Sequence, residues 1–333
     1  MVSRYYSLYG WRVRSDIELG PGVLVSGTSA PDLTFTLGRA ERIRPERPEG
    51  TVLAEFPPGE SRHKMYWLTS NAHGFVLRFP GYAQFEATAD LREVFCRASP
   101  GLPPAQLSEF FCGNVMSLLL GLAGAAVFHA SAVALGPPAA SRALGIFGRA
   151  GAGKSTLAAL LVAVGARFLT DDVLRAGDEG GVPCIVGGCA ELRLRPDAAH
   201  LAGLFPDAPV RPTADQRVAV SLGHGSAGSV PLGLLVFPRI SNEPGGDVSI
   251  SAMSGRQAAL RLAGVPRVAG WSSRAVLEAQ FRRLAEMAAL VPALEACLPR
   301  SLQRAPALGE ELAERLGAIL APIERDLSTP RPR

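Results

Sequence analysis

Lysine is nearly absent from this sequence of 333 residues, which contains only Lys64 and Lys154 among its 34 basic Lys and Arg residues. The arginines are scattered along the chain, and aromatic residues do not interleave with them. A protein that binds nucleic acid usually carries a dense basic run or stripe. The net charge of +4 is therefore not concentrated anywhere, and we expect no nucleic-acid partner.

Paired cysteines are also missing. The five cysteines form no C-x-x-C motif, which argues against the common zinc and redox sites: Cys96, Cys112, Cys184, Cys189 and Cys297. Their odd number and the lack of an apolar signal segment among the first residues predict a reducing, cytoplasmic location.

No hydrophobic run is long enough to be a clear membrane span. Residues 115–128 are almost wholly apolar, but a spanning helix needs about 20 such residues, and shorter runs are usually buried core. We therefore expect no membrane partner. Hydrophobic residues make up 47% of the chain and charged residues 19%, which is typical of a globular protein. The length favours about two domains.

The first part of the chain, residues 1–99, is predicted to be a β-rich N-terminal domain. Residues 33–37 and 75–79 alternate between apolar and polar side chains, as strands with one buried face do, and Gly and Pro clusters separate such runs. An antiparallel sheet is the simplest interpretation. Residues 100–104, rich in proline, resemble a linker, and residues 105–122 are predicted to form a buried helix.

The second part, residues 105–300, is predicted to be the catalytic domain. Apolar strands are expected at 126–135 and 143–147, followed by a glycine-rich turn, a helix at 154–164 and a strand at 167–169. This order forms a βαβ unit, so we expect a sheet flanked by helices. Two later segments show helical spacing of apolar residues. Residues 301–333 are predicted to be a C-terminal helix and a disordered tail.

Residues 148–155 read G-R-A-G-A-G-K-S, which fits the phosphate-loop pattern G-x-x-x-x-G-K-[ST] in full. Glycines allow successive backbone N–H groups to point at phosphate oxygens, and the following helix adds its positive N-terminal dipole. The pattern predicts that ATP phosphates are bound by Gly148, Ala150, Gly151, Ala152, Gly153, Lys154, Ser155 and Thr156. Lys154 would reach the β and γ phosphates, and the Ser155 hydroxyl would bind Mg²⁺.

Two further sets of polar residues stand near this loop. Asp171 and Asp172 end an apolar strand seventeen residues after Lys154, where a phosphate-loop enzyme places its magnesium-binding aspartate. Adjacent strand residues face opposite sides, so one aspartate could bind Mg²⁺ while the other receives the substrate proton. His129 lies in an apolar strand, a position where a satisfied core histidine is more common than a catalytic one.

Taken together, these segments resemble the catalytic domain of the bacterial HPr kinase/phosphorylase family, and more closely the HPr kinase-related serine kinases. The resemblance covers roughly residues 118–291, and the segments that carry it are 129–133, 148–156, 171–173 and 191–193. Residues 9–16 also resemble the start of the related kinases. The implied fold is α/β, with a P-loop kinase core of the HPr kinase and PEP carboxykinase-like type and an N-terminal β-rich domain.

The resemblance also implies roles for individual residues. Asp171, with His129 close by, would accept the proton of the attacking hydroxyl, and Lys154 would complete the catalytic set. Ser155 and Asp172 would hold Mg²⁺, while Glu191 would support a second metal ion or orient the site. Arg193 would either steady phosphate charge or form a surface ion pair.

The resemblance implies an ATP- and Mg²⁺-dependent kinase that phosphorylates a Ser or Thr hydroxyl of a protein or peptide, in a chain that forms homo-oligomers. Two departures limit it: the N-terminal region differs from that of HPr kinase itself, and residues 194–197 replace a glycine-containing stretch that bears on the reverse, phosphorolytic reaction. Alternatives are a small-molecule kinase or carboxykinase-like enzyme, and a non-catalytic ATP-binding regulator. The aspartate pair disfavours the regulator.

Overall fold

A computed structural model describes residues 3–27, 29–59, 64–213, 215–223, 228–241, 247–300 and 305–328. The protein is a mixed α/β structure with several sheets and, in this part of the chain, six α-helices. It divides into two compact units. The first comprises Met1–Val127 and Arg267–Arg282, and the second comprises Phe128–Pro266 and Arg283–Arg333.

The first unit is built on a nine-stranded sheet in the order β3-β1-β2-β4-β9-β8-β7-β6-β5. Its strands are β1 (Arg4–Leu8), β2 (Trp11–Ser15), β3 (Val23–Leu24), β4 (Leu33–Leu37), β5 (Thr51–Phe56), β6 (Tyr66–Asn71), β7 (Gly74–Phe79), β8 (Ala83–Ala87) and β9 (Glu93–Ala98). The expectation of a purely antiparallel sheet is wrong, because β4 runs parallel to both β2 and β9. Long connections on either side of β4 permit these crossovers, which a hairpin could not make.

A helical segment of the first unit follows: α1 (Pro104–Phe110), a π-helical turn (Phe111–Val115) and α2 (Met116–Leu122). Phe111 is fully buried and its ring centroid lies 4.2 Å from that of Phe35 in β4, while Phe110 lies 4.2 Å from Phe79 in β7. Because these aromatic contacts bind the helix to the sheet, the predicted linker at residues 100–104 lies inside the first unit rather than between the units.

The segment Pro104–Leu122 is long and apolar enough to cross a membrane by length and composition alone. However, 67% of its most apolar window is buried within the structure. The core helix of a globular unit has the same properties, and the packing of Phe110 and Phe111 against the sheet accounts for its apolar character.

The main sheet of the second unit has nine strands, with the path β10-β14-β15-β19-β12-β11-β13, and its edge strand β10 contains the boundary between the units. Its strands are β10 (Ala126–Phe128), β11 (Ala130–Leu135), β12 (Arg142–Phe147), β13 (Arg167–Thr170), β14 (Leu174–Glu179), β15 (Val182–Val186), β19 (Ser229–Ile240), β20 (Ser249–Met253) and β21 (Ala293–Leu298). Strand β19 is parallel to both β12 and β21. Strand β13 is also parallel to β12, because β11 lies antiparallel between them. The carboxyl ends of β21, β19, β12 and β13 therefore meet at one edge.

Helices of the second unit are α3 (Lys154–Ala163), α4 (Gly255–Ala263) and α6 (Ala305–Ser328), with a 3₁₀ turn at Pro138–Ala140. Helix α5 (Arg274–Leu290) contains the boundary between the two units. Helices α3 and α6 share a hydrophobic core with the sheet, including Leu157, Leu160, Leu312 and Leu316. The expected βαβ unit of β12, α3 and β13 is present, with β11 inserted between its strands. Residues 329–333 of the predicted tail lie outside the described part.

A separate three-stranded sheet, ordered β16-β18-β17, completes the second unit. Its strands are β16 (Glu191–Leu194), β17 (Val210–Pro212) and β18 (Val218–Ser221), and a 3₁₀ helix (Pro196–Leu204) follows β16. Leu192 and Leu194 are fully buried and belong to the same core as α3. This packing places the end of β16 beside the loop that precedes α3.

Candidate active site

The phosphate loop, residues 148–155, joins β12 to α3 at the edge where the parallel strands end. Gly151 and Gly153 have φ angles of +82° and +96°, which L side chains rarely adopt. A Cβ atom at Gly153 would lie 2.9 Å from the Cδ1 of Ile240, and one at Gly148 would lie 2.9 Å from the Cβ of Ala152. The loop therefore requires glycine at these positions, as the sequence pattern suggested.

Lys154 is buried and curls back over the loop. Its Nζ donates hydrogen bonds to the carbonyl oxygens of Gly148 at 2.9 Å and Arg149 at 3.1 Å. Burial lowers the pKa of this ammonium, Asp171 and Asp172 oppose the shift, and Arg217 and Arg195 add to it by repulsion. A buried cation held among other cations is well placed to bind a polyanion.

Asp171 is almost completely buried and is fixed by three donors. Its Oδ1 accepts from the hydroxyl of Ser131 at 2.5 Å. The hydroxyl of Ser155 lies 3.0 and 3.1 Å from its two carboxylate oxygens, and the backbone N–H of Arg193 donates to Oδ2 at 2.8 Å. The last residue of the phosphate loop and the first aspartate of the pair thus form one oxygen-rich group.

Asp172 faces the opposite way and pairs with His129. The Nδ1 of His129 lies 3.0 Å from the Oδ1 of Asp172 and 3.2 Å from its carbonyl oxygen. Asp172 has a φ of 68°, a left-handed conformation that Asp tolerates better than most residues, and this turn redirects the second carboxylate. His129, expected close to Asp171, lines the same cavity as that residue, and its imidazole contacts Asp172, while Asp171 contacts Ser155.

These groups line one cavity of about 450 Å³ in the second unit. The cavity brings together nine of the residues expected from the sequence: His129, Ala150, Gly151, Gly153, Lys154, Ser155, Thr156, Asp171 and Asp172. Gly148 and Ala152 belong to the same loop and line a neighbouring cavity on its other side. These eleven residues therefore lie at or beside one loop, although they are up to 43 positions apart in the chain.

Glu191 is placed differently from the expectation that it supports a metal ion. Its buried carboxylate accepts hydrogen bonds from Arg211, with both oxygens 2.9 Å from Nη2, and lies 3.9 Å from Arg193. It does not line the cavity that contains Asp171. Two arginines already neutralise this carboxylate, so the geometry assigns Glu191 to a structural ion pair, and Arg193 to the same pair.

Sequence reasoning missed several residues that the structure brings to the site. Ser131, two residues after His129, is fully buried against Asp171. Arg195, Arg217 and Arg300 line the cavity from three separate segments. Ser131 falls within a segment already singled out, so its spacing from His129 was a usable signal. No local pattern marks the arginines, since 32 of the 34 basic residues in this chain are arginines.

The cavity therefore contains a positively charged loop, a pair of side chains with oxygen ligands (Ser155 and Asp171) and a pair of side chains that can exchange a proton (His129 and Asp172). Hydroxyl and carboxylate oxygens, such as those of Ser155 and Asp171, are the protein ligands that Mg²⁺ prefers. Mg²⁺ usually keeps waters and substrate phosphates as its other ligands. No group of three or more His, Cys, Asp or Glu side chains in the described residues is placed to hold a metal ion together. A Mg²⁺ ion held by Ser155 and Asp171, with water and phosphate as its other ligands, would fit these residues.

Comparisons with known proteins give little further information. A search of solved structures finds the HPr(Ser) kinase/phosphatase from Coxiella burnetii, with 12% sequence identity and a TM-score of 0.29. The match covers 58% of this chain and 96% of that one. No family model matches the sequence, and a search of curated proteins finds no relative.

Proposed function

We propose that this chain is an ATP- and Mg²⁺-dependent kinase that transfers the γ-phosphate to a Ser or Thr hydroxyl of a protein or peptide. One observation carries the proposal: the Ser155–Asp171 contact and the His129–Asp172 contact lie side by side at the phosphate loop. The first provides oxygen ligands and the second provides a proton acceptor. A phosphoryl transfer to a hydroxyl requires both.

The loop supports binding of the triphosphate. Backbone N–H groups of residues 148–155 would hold phosphate oxygens, and the N-terminus of α3 would add its dipole. Lys154 would exchange its two carbonyl contacts for phosphate oxygens. The enclosed position of Lys154, which is 6% exposed, strengthens that attraction because little water screens it.

The Ser155 hydroxyl and the Asp171 carboxylate support binding of Mg²⁺. Ser155 and Asp171 would hold the ion, which, when bound, neutralises charge on the transferring phosphoryl group. Ser131 and the backbone N–H of Arg193 hold the Asp171 carboxylate in place through its remaining lone pairs. This support fixes the orientation of a ligand that would otherwise rotate, as outer contacts around metal sites commonly do.

The pair of His129 and Asp172 supports removal of the proton from the acceptor hydroxyl. Asp172 is the more open of the two aspartates, with its side chain 14% exposed, and the side chain of His129 is 26% exposed. Asp172, oriented by His129, would accept the proton as the new P–O bond forms. The roles of the two aspartates are thus exchanged relative to the sequence expectation, in which Asp171 was the acceptor.

The identity of the acceptor rests on the resemblance to the HPr kinase-related serine kinases, which favours a protein or peptide hydroxyl. Incubation of the purified chain with Mg²⁺ and γ-labelled ATP, alone and with candidate peptides, tests the proposal. We expect Mg²⁺-dependent binding of ATP and transfer of label to a Ser or Thr residue. A chain that binds no nucleotide, or that labels no hydroxyl in any protein or peptide offered, would contradict it.

A further inference from the structure

Two arginines lie at one end of the three-stranded sheet. Strands β16 and β18 are antiparallel, with Leu194 opposite Val218. Arg195 directly follows Leu194 and Arg217 directly precedes Val218, so the two arginines leave the same end of adjacent strands. Both arginines line the cavity that contains Lys154.

Both arginines bring positive charge to the cavity, and in the described part of the chain only one of them has a carboxylate partner in an ion pair. Arg217 pairs through Nε with Asp215 at 3.0 Å. Arg195 is exposed and forms no ion pair or side-chain hydrogen bond with any residue in the described ranges. A ligand of negative charge would offset this positive charge.

A second pair of arginines on the same sheet has a carboxylate partner within the protein. Arg193 and Arg211 lie on either side of the buried Glu191 carboxylate, which accepts from Arg211 at 2.9 Å. That pair contains its own anion. The pair formed by Arg195 and Arg217 shares no protein carboxylate in the described part of the chain, although it lies at the end of the same strands.

The position of the pair relative to the phosphate loop indicates which anion it would bind. The backbone N–H of Arg193 donates to Asp171 at 2.8 Å, so β16 passes directly beside the carboxylate that contacts Ser155. Arg195 follows two residues later. Arg300 enters the same cavity after β21, which pairs with β19. Arg195 and Arg217 are thus carried by the small sheet whose strand β16 contacts Asp171.

We propose that Arg195 and Arg217 together bind the γ-phosphate oxygens of ATP and stabilise the charge that develops there during transfer. This inference rests on the proposed kinase function. Guanidinium groups bind phosphate oxygens through several parallel hydrogen bonds, and an arginine aimed at a transferring phosphoryl group is worth about 10³–10⁵-fold in turnover in some phosphate-loop enzymes. The positive charge of the pair would then be offset when the nucleotide is bound.

The charges around Lys154 agree with this arrangement. The cavity is lined by four basic side chains, Lys154, Arg195, Arg217 and Arg300, and by three aspartates. Arg217 and Arg195 are close enough to Lys154 to lower its pKa by repulsion. The three cations thus act on the same part of the cavity.

The test compares ATP with ADP, because the two nucleotides differ by the γ-phosphate alone. Arg195→Ala and Arg217→Ala would be measured by calorimetry for both nucleotides with Mg²⁺ and without acceptor, with Arg256→Ala as the matched control. Arg256 is exposed on α4 and does not line the cavity. We expect ADP affinity to stay within about 2-fold and ATP affinity to fall about 10-fold in each variant, as loss of one charge-assisted contact predicts.

Kinetics provide the second measurement. We expect kcat to fall about 10²–10³-fold in each variant, with partial recovery in Arg195→Lys, since lysine keeps the charge but loses the forked geometry. Equal losses for ATP and ADP, unchanged ATP affinity, or a rise confined to the KM of the acceptor would each overturn the inference. The last result would assign the pair to an anionic group on the acceptor.

The affinity measurement also separates this inference from the proposed function. If the wild-type chain binds ATP but transfers no phosphate, the kinase proposal fails while the preference for ATP over ADP still tests the arginine pair. If the wild-type chain binds neither nucleotide, both are overturned. Far-ultraviolet circular dichroism and melting curves of each variant would show whether a loss reflects unfolding rather than a missing contact.

Discussion

The two lysines of this chain lie in two cavities of similar size and opposite character. Lys154 lines the cavity of about 450 Å³ in the second unit, and Lys64 lines one of about 490 Å³ in the first. The first unit's cavity is walled by five aromatic rings, Phe56, Tyr66, Phe79, Tyr82 and Phe110. Size alone therefore does not mark the reactive site.

The surroundings of each lysine explain the difference. Lys64 pairs with Glu55 at 3.1 Å and donates to the carbonyl of Pro57 at 2.6 Å, so a carboxylate neutralises its charge. In the described part of the chain, Lys154 donates to two carbonyl oxygens and forms no ion pair, and its nearby carboxylates contact Ser155 and His129. A cation committed to its own ion pair stabilises a fold, whereas a cation held without one is available to a ligand.

The titratable groups follow the same division. Burial raises the pKa of Tyr66 in the aromatic cavity to about 12, so this phenol stays neutral at physiological pH. The cavity of the second unit contains three aspartates, a histidine and four basic residues. Among the described residues, charged groups gather in the cavity of the second unit and aromatic rings in that of the first. The following predictions test whether this difference separates function from stability.

Substitution of the two lysines gives the largest expected contrast. Lys154→Met removes the cation aimed at the β and γ phosphates, and we expect phosphate transfer to fall by about 10³-fold or more. Lys64→Met should leave the rate of transfer within about 2-fold of the wild type, because Lys64 forms an ion pair with Glu55. The same substitution should lower the free energy of unfolding by roughly 1–3 kcal/mol. Labelled ATP and thermal melting measure the two effects. Loss of transfer in Lys64→Met with an intact fold would break the division between the cavities.

The two aspartates should separate binding from chemistry. Asp172→Asn removes the proton acceptor but keeps the size of the side chain, so we expect ATP and Mg²⁺ binding to persist while kcat falls about 10²–10⁴-fold. Asp171→Asn should instead weaken Mg²⁺-dependent binding of nucleotide, since the amide is a poorer ligand than a carboxylate. Calorimetry and single-turnover kinetics distinguish these outcomes. The reverse pattern would restore the assignment expected from the sequence.

A substitution in the first unit tests whether its aromatic core is structural. Phe111 is fully buried against Phe35, and Phe111→Leu changes the shape of that contact at a cost of about 1–3 kcal/mol. We expect a lower melting temperature and an unchanged KM for ATP at a temperature where the variant is folded. Leu24→Ala, at a side chain that is 68% exposed, is the control. A changed KM for ATP in Phe111→Leu alone would show that the two regions are coupled.

The smallest expected effect concerns the stability cost of Lys154 without nucleotide. Its pKa is lowered from 10.5 in the folded state, mainly by burial, so the unfolded chain binds the proton more readily. Stability therefore rises with pH through the window that ends at 10.5. Lys154→Met should remove this cost and therefore melt at a higher temperature than the wild type at pH 7.

Melting curves at pH 7 and pH 10 check this prediction. The advantage of Lys154→Met should shrink at pH 10, where the wild-type ammonium is partly deprotonated in both states. Lys64→Met, measured in parallel, should be destabilised at pH 7, because Glu55 loses the contact that lowers its pKa. A lower melting temperature for Lys154→Met at pH 7 would mean that its carbonyl contacts outweigh the cost of burial.

Local patterns in the sequence were sufficient for several elements. The phosphate loop has a fixed glycine spacing because positive φ angles and close approaches leave no room for side chains, as at Gly153. The strand before it and the helix after it follow from apolar runs, and β12 (Arg142–Phe147) and α3 (Lys154–Ala163) lie within one residue of their predicted bounds. Alternation likewise predicted β4 and β7 in the first unit.

Other elements depended on contacts that no local pattern encodes. The parallel placement of β4, the insertion of β11 between β12 and β13, and the inclusion of α1 and α2 in the first unit each join segments far apart in the chain. Strand direction depends on the route of the connection, and many routes satisfy the same alternation of side chains.

The sequence by itself determined that a phosphate loop, a histidine and an aspartate pair exist, because each depends on residue type and short spacing. Only the tertiary structure decided which partner each carboxylate has. Asp171 contacts Ser155, Asp172 contacts His129, and Glu191 forms an ion pair with Arg211. The physical reason is that one turn at Asp172, with a φ of 68°, sends two adjacent carboxylates in different directions. Which partner each one meets depends on strands up to 43 residues away.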